Sequence, residues 1–74
     1  MGLTLMLNGQ TRTFEELSES PSLEELIASL GFRNDRVAVE HNGEIAARSM
    51  WSETALQDGD RLELVHFVGG GNLR

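Results

Sequence analysis

Only one stretch of this chain carries the spacing of a helix, and that sets what it can fold into. Leu23, Leu26, Ile27 and Leu30 fall on one apolar stripe at helical period. Ser22 stands where an N-cap is wanted, and Glu25 three residues later can close a capping box. Gly31 sits at the left-handed position that ends a helix, with Phe32 just beyond to pack back on it. Elsewhere the apolar residues alternate with period two between turn signals. Leu3, Leu5 and Leu7 alternate with Thr4, Met6 and Asn8, and Asn8-Gly9 is a hairpin turn that returns the chain as a second strand, Thr11–Phe14. Arg36–Glu40 reads as a third strand, His41-Asn42-Gly43 as a turn, and Glu44–Arg48 as a fourth strand. Met50–Thr54 reads as a short turn or single helical turn that packs Trp51. Asp58-Gly59-Asp60 is a further turn, and Arg61–Val68 is the last strand. The order is ββαβββ: an α+β fold, a mixed sheet of four to five strands with one main helix on one face.

With a single helix, only one face of the sheet can be covered. Alternation sends Leu3, Leu5, Leu7, Val37, Val39, Leu62 and Leu64 toward the helix. It sends Met6, Ala38, Val65 and Phe67 the other way, where no second helix waits for them. An uncovered sheet face with Met, Val and Phe on it is a candidate docking surface for a protein partner. The 74 residues make one domain, spanning residues 1–68, with residues 69–74 as a flexible glycine-rich tail.

Composition narrows the function classes. The net charge is −6, which disfavours a nucleic-acid partner. Glu15, Glu16, Glu19, Glu24 and Glu25 form a short acidic stretch, read either as a solvated helix face or as a surface that steers docking onto a basic enzyme. There is no cysteine, so neither a disulfide nor a thiol-borne acyl or sulfur group is available. All six basic residues are arginines, which removes Schiff-base chemistry and self-linked isopeptide chains. No apolar run is long enough to span a membrane and no signal pattern opens the chain, so a soluble, cytoplasmic protein is expected, monomeric when free.

The chain holds no catalytic constellation of its own. His41 and His66 lack the companion ligands that a metal site needs, and no metal is expected. His41 reads as a turn residue, and His66 as structural or a partner contact. No serine sits in a nucleophile elbow, and a one-helix domain rarely builds the cleft that a carboxylate pair needs for acid–base work. Gly69-Gly70-Gly71 lacks the pattern and the following helix of a phosphate loop. A glycine run does not stabilise a fold, because glycine has the most backbone freedom to lose. It does make a thin strip of backbone that enters a narrow channel, which suits a chain whose terminal carboxylate is the reacting group.

These residues together resemble a known family. Leu7-Asn8-Gly9, the Leu23–Ile27 helix, Val37–Glu40 with Asn42-Gly43, Arg48 with Trp51, Asp58-Gly59-Asp60 and Val65–Gly71 follow one another in the order and spacing of the ThiS-type sulfur carriers of thiamine biosynthesis. The Val65–Gly71 ending is the strongest single element. The resemblance covers Leu5 to Gly71 and implies a ubiquitin-like β-grasp fold. It implies a protein co-substrate, not an enzyme, with no bound cofactor. An adenylating, E1-like activating enzyme would use ATP to activate the C-terminal glycine. A thiocarboxylate on that glycine would then pass its sulfur to thiazole synthase.

Family members of this type end at the glycines, whereas Asn72, Leu73 and Arg74 follow Gly71 here. The resemblance therefore implies a tail-trimming protease that exposes Gly71, or Gly70 if it cuts one residue further, with Gly69, Gly70 and Gly71 as the flexible tail. The rival readings are a sulfur carrier for a molybdopterin- or cysteine-type pathway, and a ubiquitin-like modifier or binding module.

Overall fold

The computed structural model describes residues 2–32 and 36–66. The elements are β1 (Leu3–Leu7), β2 (Gln10–Phe14), α1 (Leu23–Ser29), β3 (Val37–His41), β4 (Glu44–Ile45), a 3-10 helix (Arg48–Glu53) and β5 (Arg61–His66). The strands form one sheet in the order β2-β1-β5-β3-β4. β1 and β5 run parallel, and the other neighbours are antiparallel. This is the mixed sheet with one main helix that the resemblance implies. Phe67, Val68, the three glycines and Asn72–Arg74 lie outside the described residues, as does the division of the chain at residue 69.

The apolar stripe of α1 meets the alternating leucines and valines of the sheet. Leu23, Leu26 and Ile27 are buried against Leu5, Leu7, Val37, Val39 and Leu62, and Leu3 and Leu64 pack half-buried at the margin. Phe14, Leu17, Trp51 and Leu56 complete the core from the connections. Trp51 is 2% exposed and its indole Nε1 donates to the Ala46 carbonyl at 3.0 Å, so the large ring is buried with its polar atom satisfied.

Helix α1 ends as its sequence predicts, and at its start the Ser22 cap forms while the Glu25 half of the box does not. Ser22 Oγ accepts from the Glu25 N–H at 3.1 Å. The Glu25 carboxylate does not return the favour to Ser22. It takes the Ser18 N–H at 2.9 Å and the Ser18 hydroxyl at 2.8 Å, so the second half of the box anchors the preceding loop instead. The bridge between Ser22 and Ala55 is closed by their neighbours, with the Leu23 N–H on the Thr54 carbonyl and the Leu56 N–H on the Pro21 carbonyl. Gly31 takes φ +83, with its N–H on the Ala28 carbonyl, and closes the helix.

Strand boundaries shift where side chains compete. The fourth strand is two residues, not Glu44–Arg48. The Ala46 N–H still reaches the Val39 carbonyl at 2.9 Å, but burial of Trp51 turns the chain inward and Arg48 opens the 3-10 helix. The second strand starts at Gln10, and the third is Val37–His41 rather than Arg36–Glu40. His41 thus ends a strand instead of opening a turn.

Candidate functional site

The candidate surface is the sheet face opposite α1, and β5 organises it. β5 is held between two hairpins of the same kind. Asn8 and Gly9 have φ 51 and 82, and Asn42 and Gly43 have φ 53 and 89. Positive φ at both central residues matches the twist of the flanking strands, and Asn-Gly is the pair that adopts it at least cost. Each asparagine then reaches over to β5. Asn8 Oδ1 accepts the Leu64 N–H at 2.7 Å, and Asn42 Oδ1 accepts the Arg61 N–H at 2.8 Å. The turns that close β1–β2 and β3–β4 therefore also set the position of the last strand.

A second knot secures the start of β5. His41 Nε2 lies 2.8 Å from Asp60 Oδ2, Asn42 Nδ2 donates to Asp60 Oδ1 at 3.2 Å, and the Gln57 N–H donates to Asp60 Oδ2 at 3.0 Å. Burial alone pushes the Asp60 carboxyl up. The hydrogen bonds from His41, the Gln57 N–H and Asn42, with the His41 charge, outweigh burial and hold the carboxyl below its usual 3.8. His41, which reads as a turn residue in the sequence, is a tether between two strands.

Register decides what shares the outer face. Ala38 stands directly across from Val65, and Glu40 across from both Glu63 and Ile45. Ala38, Val65 and Ile45 are exposed, Val65 by 56% and Ile45 by 76%. With Glu40 and Glu63 they border a shallow hollow of about 140 Å³. A neighbouring hollow of about 330 Å³ is bounded by Glu40, Gly43, Arg61, Glu63 and Val65. The surface is thus a small apolar patch set among two carboxylates and a guanidinium.

Met6, which is 38% exposed, lies on the same face but at the other end of β5, paired with Arg61. The fold brings Ala38 and Val65 together and leaves Met6 apart from them. Phe67, Gly69, Gly70 and Gly71 lie outside the described residues. Ile45 is a member of this face that sequence alternation alone does not pick out, although its signal is present. A two-residue Asn42-Gly43 turn pairs Ile45 with Glu40, and Glu40 shares the face of Ala38. His66 sits on the helix side, its ring 4.5 Å from that of Phe32.

Chemistry within the domain is sparse. Among the described residues, no group of three or more His, Cys, Asp or Glu could hold a metal ion. A cleft of about 580 Å³ between the loop after β2 and residues 56–58 includes Glu15, Glu19 and Asp58 and no basic side chain. No helix among the described residues is long and apolar enough to cross a membrane.

Known proteins share this arrangement. A thiazole synthase of Paramagnetospirillum magneticum is 43% identical over 70 residues, 95% of this chain and 21% of that protein, so the chain spans about a fifth of it. The sulfur carrier protein ThiS of Bacillus subtilis is 39% identical over 67 residues, 90% of this chain and 98% of that one. The crystal structure of the thiamine biosynthesis protein ThiS from Geobacter metallireducens superposes with a TM-score of 0.77 at 36% identity, over 93% of this chain and all of that one, and it confirms the β-grasp fold. The model of the ThiS family matches residues 5–71, and the chain belongs to that family.

Proposed function

We propose that this protein is a sulfur carrier of thiamine biosynthesis, a co-substrate and not a catalyst. The observation that carries the reading is the extent of the family match. It runs from Leu5 within the first strand to Gly71, the residue proposed to react. The likeness to the Bacillus subtilis carrier along nearly the full length of both chains supports the same reading.

The chemistry begins with a free carboxylate. Hydrolysis of the Gly71–Asn72 amide by a protease releases Asn72-Leu73-Arg74 and leaves Gly71 as the terminus; a cut one residue earlier would leave Gly70. An activating enzyme then joins the carboxylate to the α-phosphate of ATP and expels pyrophosphate. Hydrosulfide released by a donor attacks the acyl-adenylate, AMP leaves, and the glycyl carbonyl keeps sulfur in place of one oxygen. Thiazole synthase transfers that sulfur to its acceptor, and an oxygen from the acceptor or from water returns the terminus to a carboxylate. The alignment of this chain with a segment of a thiazole synthase supports that enzyme as the acceptor. Because the partner consumes ATP, the cycle is expected in the cytoplasm.

In this scheme the domain supplies recognition and the glycines supply reach. Ala38, Val65 and Ile45 form the docking face, and Glu40 and Glu63 complement a basic rim on the activating enzyme. Intact mass of the protein recovered from its own cells tests the reading. The expected species lacks Asn-Leu-Arg, and a fraction of it has one oxygen exchanged for sulfur. A chain that retains the tail and gains no sulfur while the cells make thiamine overturns the reading in favour of a binding module or modifier.

A further inference from the structure

β5 outruns its parallel neighbour. β1 pairs with it only at Met6–Arg61 and Leu7–Leu62, then turns away at Asn8-Gly9, whereas β5 continues to His66. The direction of each backbone group along β5 follows from its bonds. The Met6 N–H reaches the Asp60 carbonyl, the Asn8 N–H reaches the Leu62 carbonyl, and the Leu64 N–H reaches Asn8 Oδ1. Even-numbered residues therefore aim toward β1. Arg61 exchanges bonds with Asn42, so odd-numbered residues aim toward β3. By this alternation the Leu64 carbonyl and the His66 N–H point to the β1 side, beyond the place where β1 has ended. Among the described residues, no strand pairs with β5 there.

We infer that the C-terminal half of β5 is a strand-addition site, and that an extended segment of thiazole synthase pairs with it. The inference rests on the proposed function for the choice of partner. A carbonyl and an N–H on alternate residues of one strand are complemented by another extended backbone, which supplies one donor and one acceptor at the same repeat. The slot has chemistry on both sides as well. Val65 lies on its outer side, and the His66 and Phe32 rings lie on its inner side, so the incoming strand needs apolar side chains in alternation. The partner follows from the relatives: a segment of a thiazole synthase that aligns with this chain belongs to the same polypeptide as the synthase. Asn8 has a defined part, since its Oδ1 occupies the first donor of the strand and leaves the next two groups for the partner.

The test uses the full chain and the purified thiazole synthase of the same organism. In the free protein the His66 amide exchanges fast with solvent while the Val65 and Glu63 amides, which face β3, are protected. Addition of the synthase protects His66. His66→Pro deletes that one donor without removing a β3 bond, a substitution that edge strands tolerate. It weakens binding roughly tenfold, whereas His66→Ala, which loses the ring contact and keeps the N–H, stays within about twofold. Protection of His66 in the free chain, or fast exchange in a saturated complex, overturns the inference even if His66→Pro misfolds. Equal losses for Pro and Ala also overturn it and assign the effect to the ring. If neither the full chain nor the chain ending at Gly71 binds the synthase, the proposed function falls first and this site falls with it. If the wild type binds and His66 is indifferent, only the strand-addition site is lost.

Discussion

The two faces of the sheet are built from the same strands and obey different rules. On the inner face, Leu5, Leu7, Val39 and Leu62 are buried under α1. On alternate positions of the same strands, Met6, Ala38 and Val65 stand in solvent, with Ile45 beside Ala38 and Val65. Period-two alternation makes the difference, because a single helix can cover only one side of a single sheet. Stability therefore depends on the inner set, and the outer set is left to recognition. Substitutions on the two faces should separate these properties, and any that moves both together breaks the division.

The largest effect belongs to the inner face. Leu26 is fully buried in the middle of the helix stripe. Leu26→Ala removes buried methyl groups and leaves a cavity, at a cost of about 2–5 kcal/mol, a large part of what a small domain has. Urea unfolding should show the midpoint fall sharply. A loss under about 1 kcal/mol would mean that the helix layer is less essential to the sheet than its burial indicates.

This inner layer was legible in the sequence because hydrophobic period and turn chemistry agree. Leu23, Leu26 and Ile27 meet Leu5, Val39 and Leu62 as alternation requires, and Asn8-Gly9 and Asn42-Gly43 turn where their backbone freedom predicts. What was not legible depended on competition between distant groups. Glu25 satisfies Ser18 rather than Ser22, so its carboxylate ties the preceding loop to the helix. Arg48 leaves its strand because Trp51 needs the core. No local pattern announces that His41 will meet Asp60, nineteen residues away. On the outer face, Ala38 and Val65 could be read from alternation. Their separation from Met6 needed the register, which depends on which strands become neighbours.

The next effect lies where the two faces share a support. Asn8 adopts φ 51 and caps the Leu64 N–H through its side chain. Asn8→Ala loses that acceptor and places an alanine at positive φ, and the two losses together cost about 1–3 kcal/mol. Asn8→Gly keeps the turn and loses only the acceptor, so it should cost less in the same urea titration. If the glycine variant is as weak as the alanine variant, the side-chain bond to β5 matters more to the fold than the backbone conformation of the turn.

A smaller effect appears in acid. Burial works to raise the Asp60 carboxyl, but His41, Gln57 and Asn42 hold it in the folded chain below the unfolded value of 3.8. A depressed carboxyl contributes stability that is fully present above 3.8 and is lost as the pH falls through the folded value. Thermal midpoints followed downward through that range should drop more steeply for the wild type than for Asp60→Asn, which cannot take up the proton. Parallel curves would remove Asp60 as a source of acid sensitivity. The knot lies at the margin of the core, so its loss should loosen the start of β5 without opening the helix layer.

The smallest change in stability is the most informative about the outer face. Ile45 is 76% exposed on a two-residue edge strand, so its removal forfeits little packing. Ile45→Thr keeps the β-branch that the strand favours, and its unfolding free energy should stay within about 0.5 kcal/mol of the wild type. Affinity for the activating enzyme, measured by titration calorimetry, should nonetheless fall, because the apolar hollow shared with Ala38 and Val65 loses its outer wall. Unchanged affinity would move the docking surface toward the Met6 end of β5 and leave the Ile45 side of the sheet unused. A large loss of stability would instead show that the outer face carries part of the fold, and the separation between the two faces would fail at the residue where exposure makes it strongest.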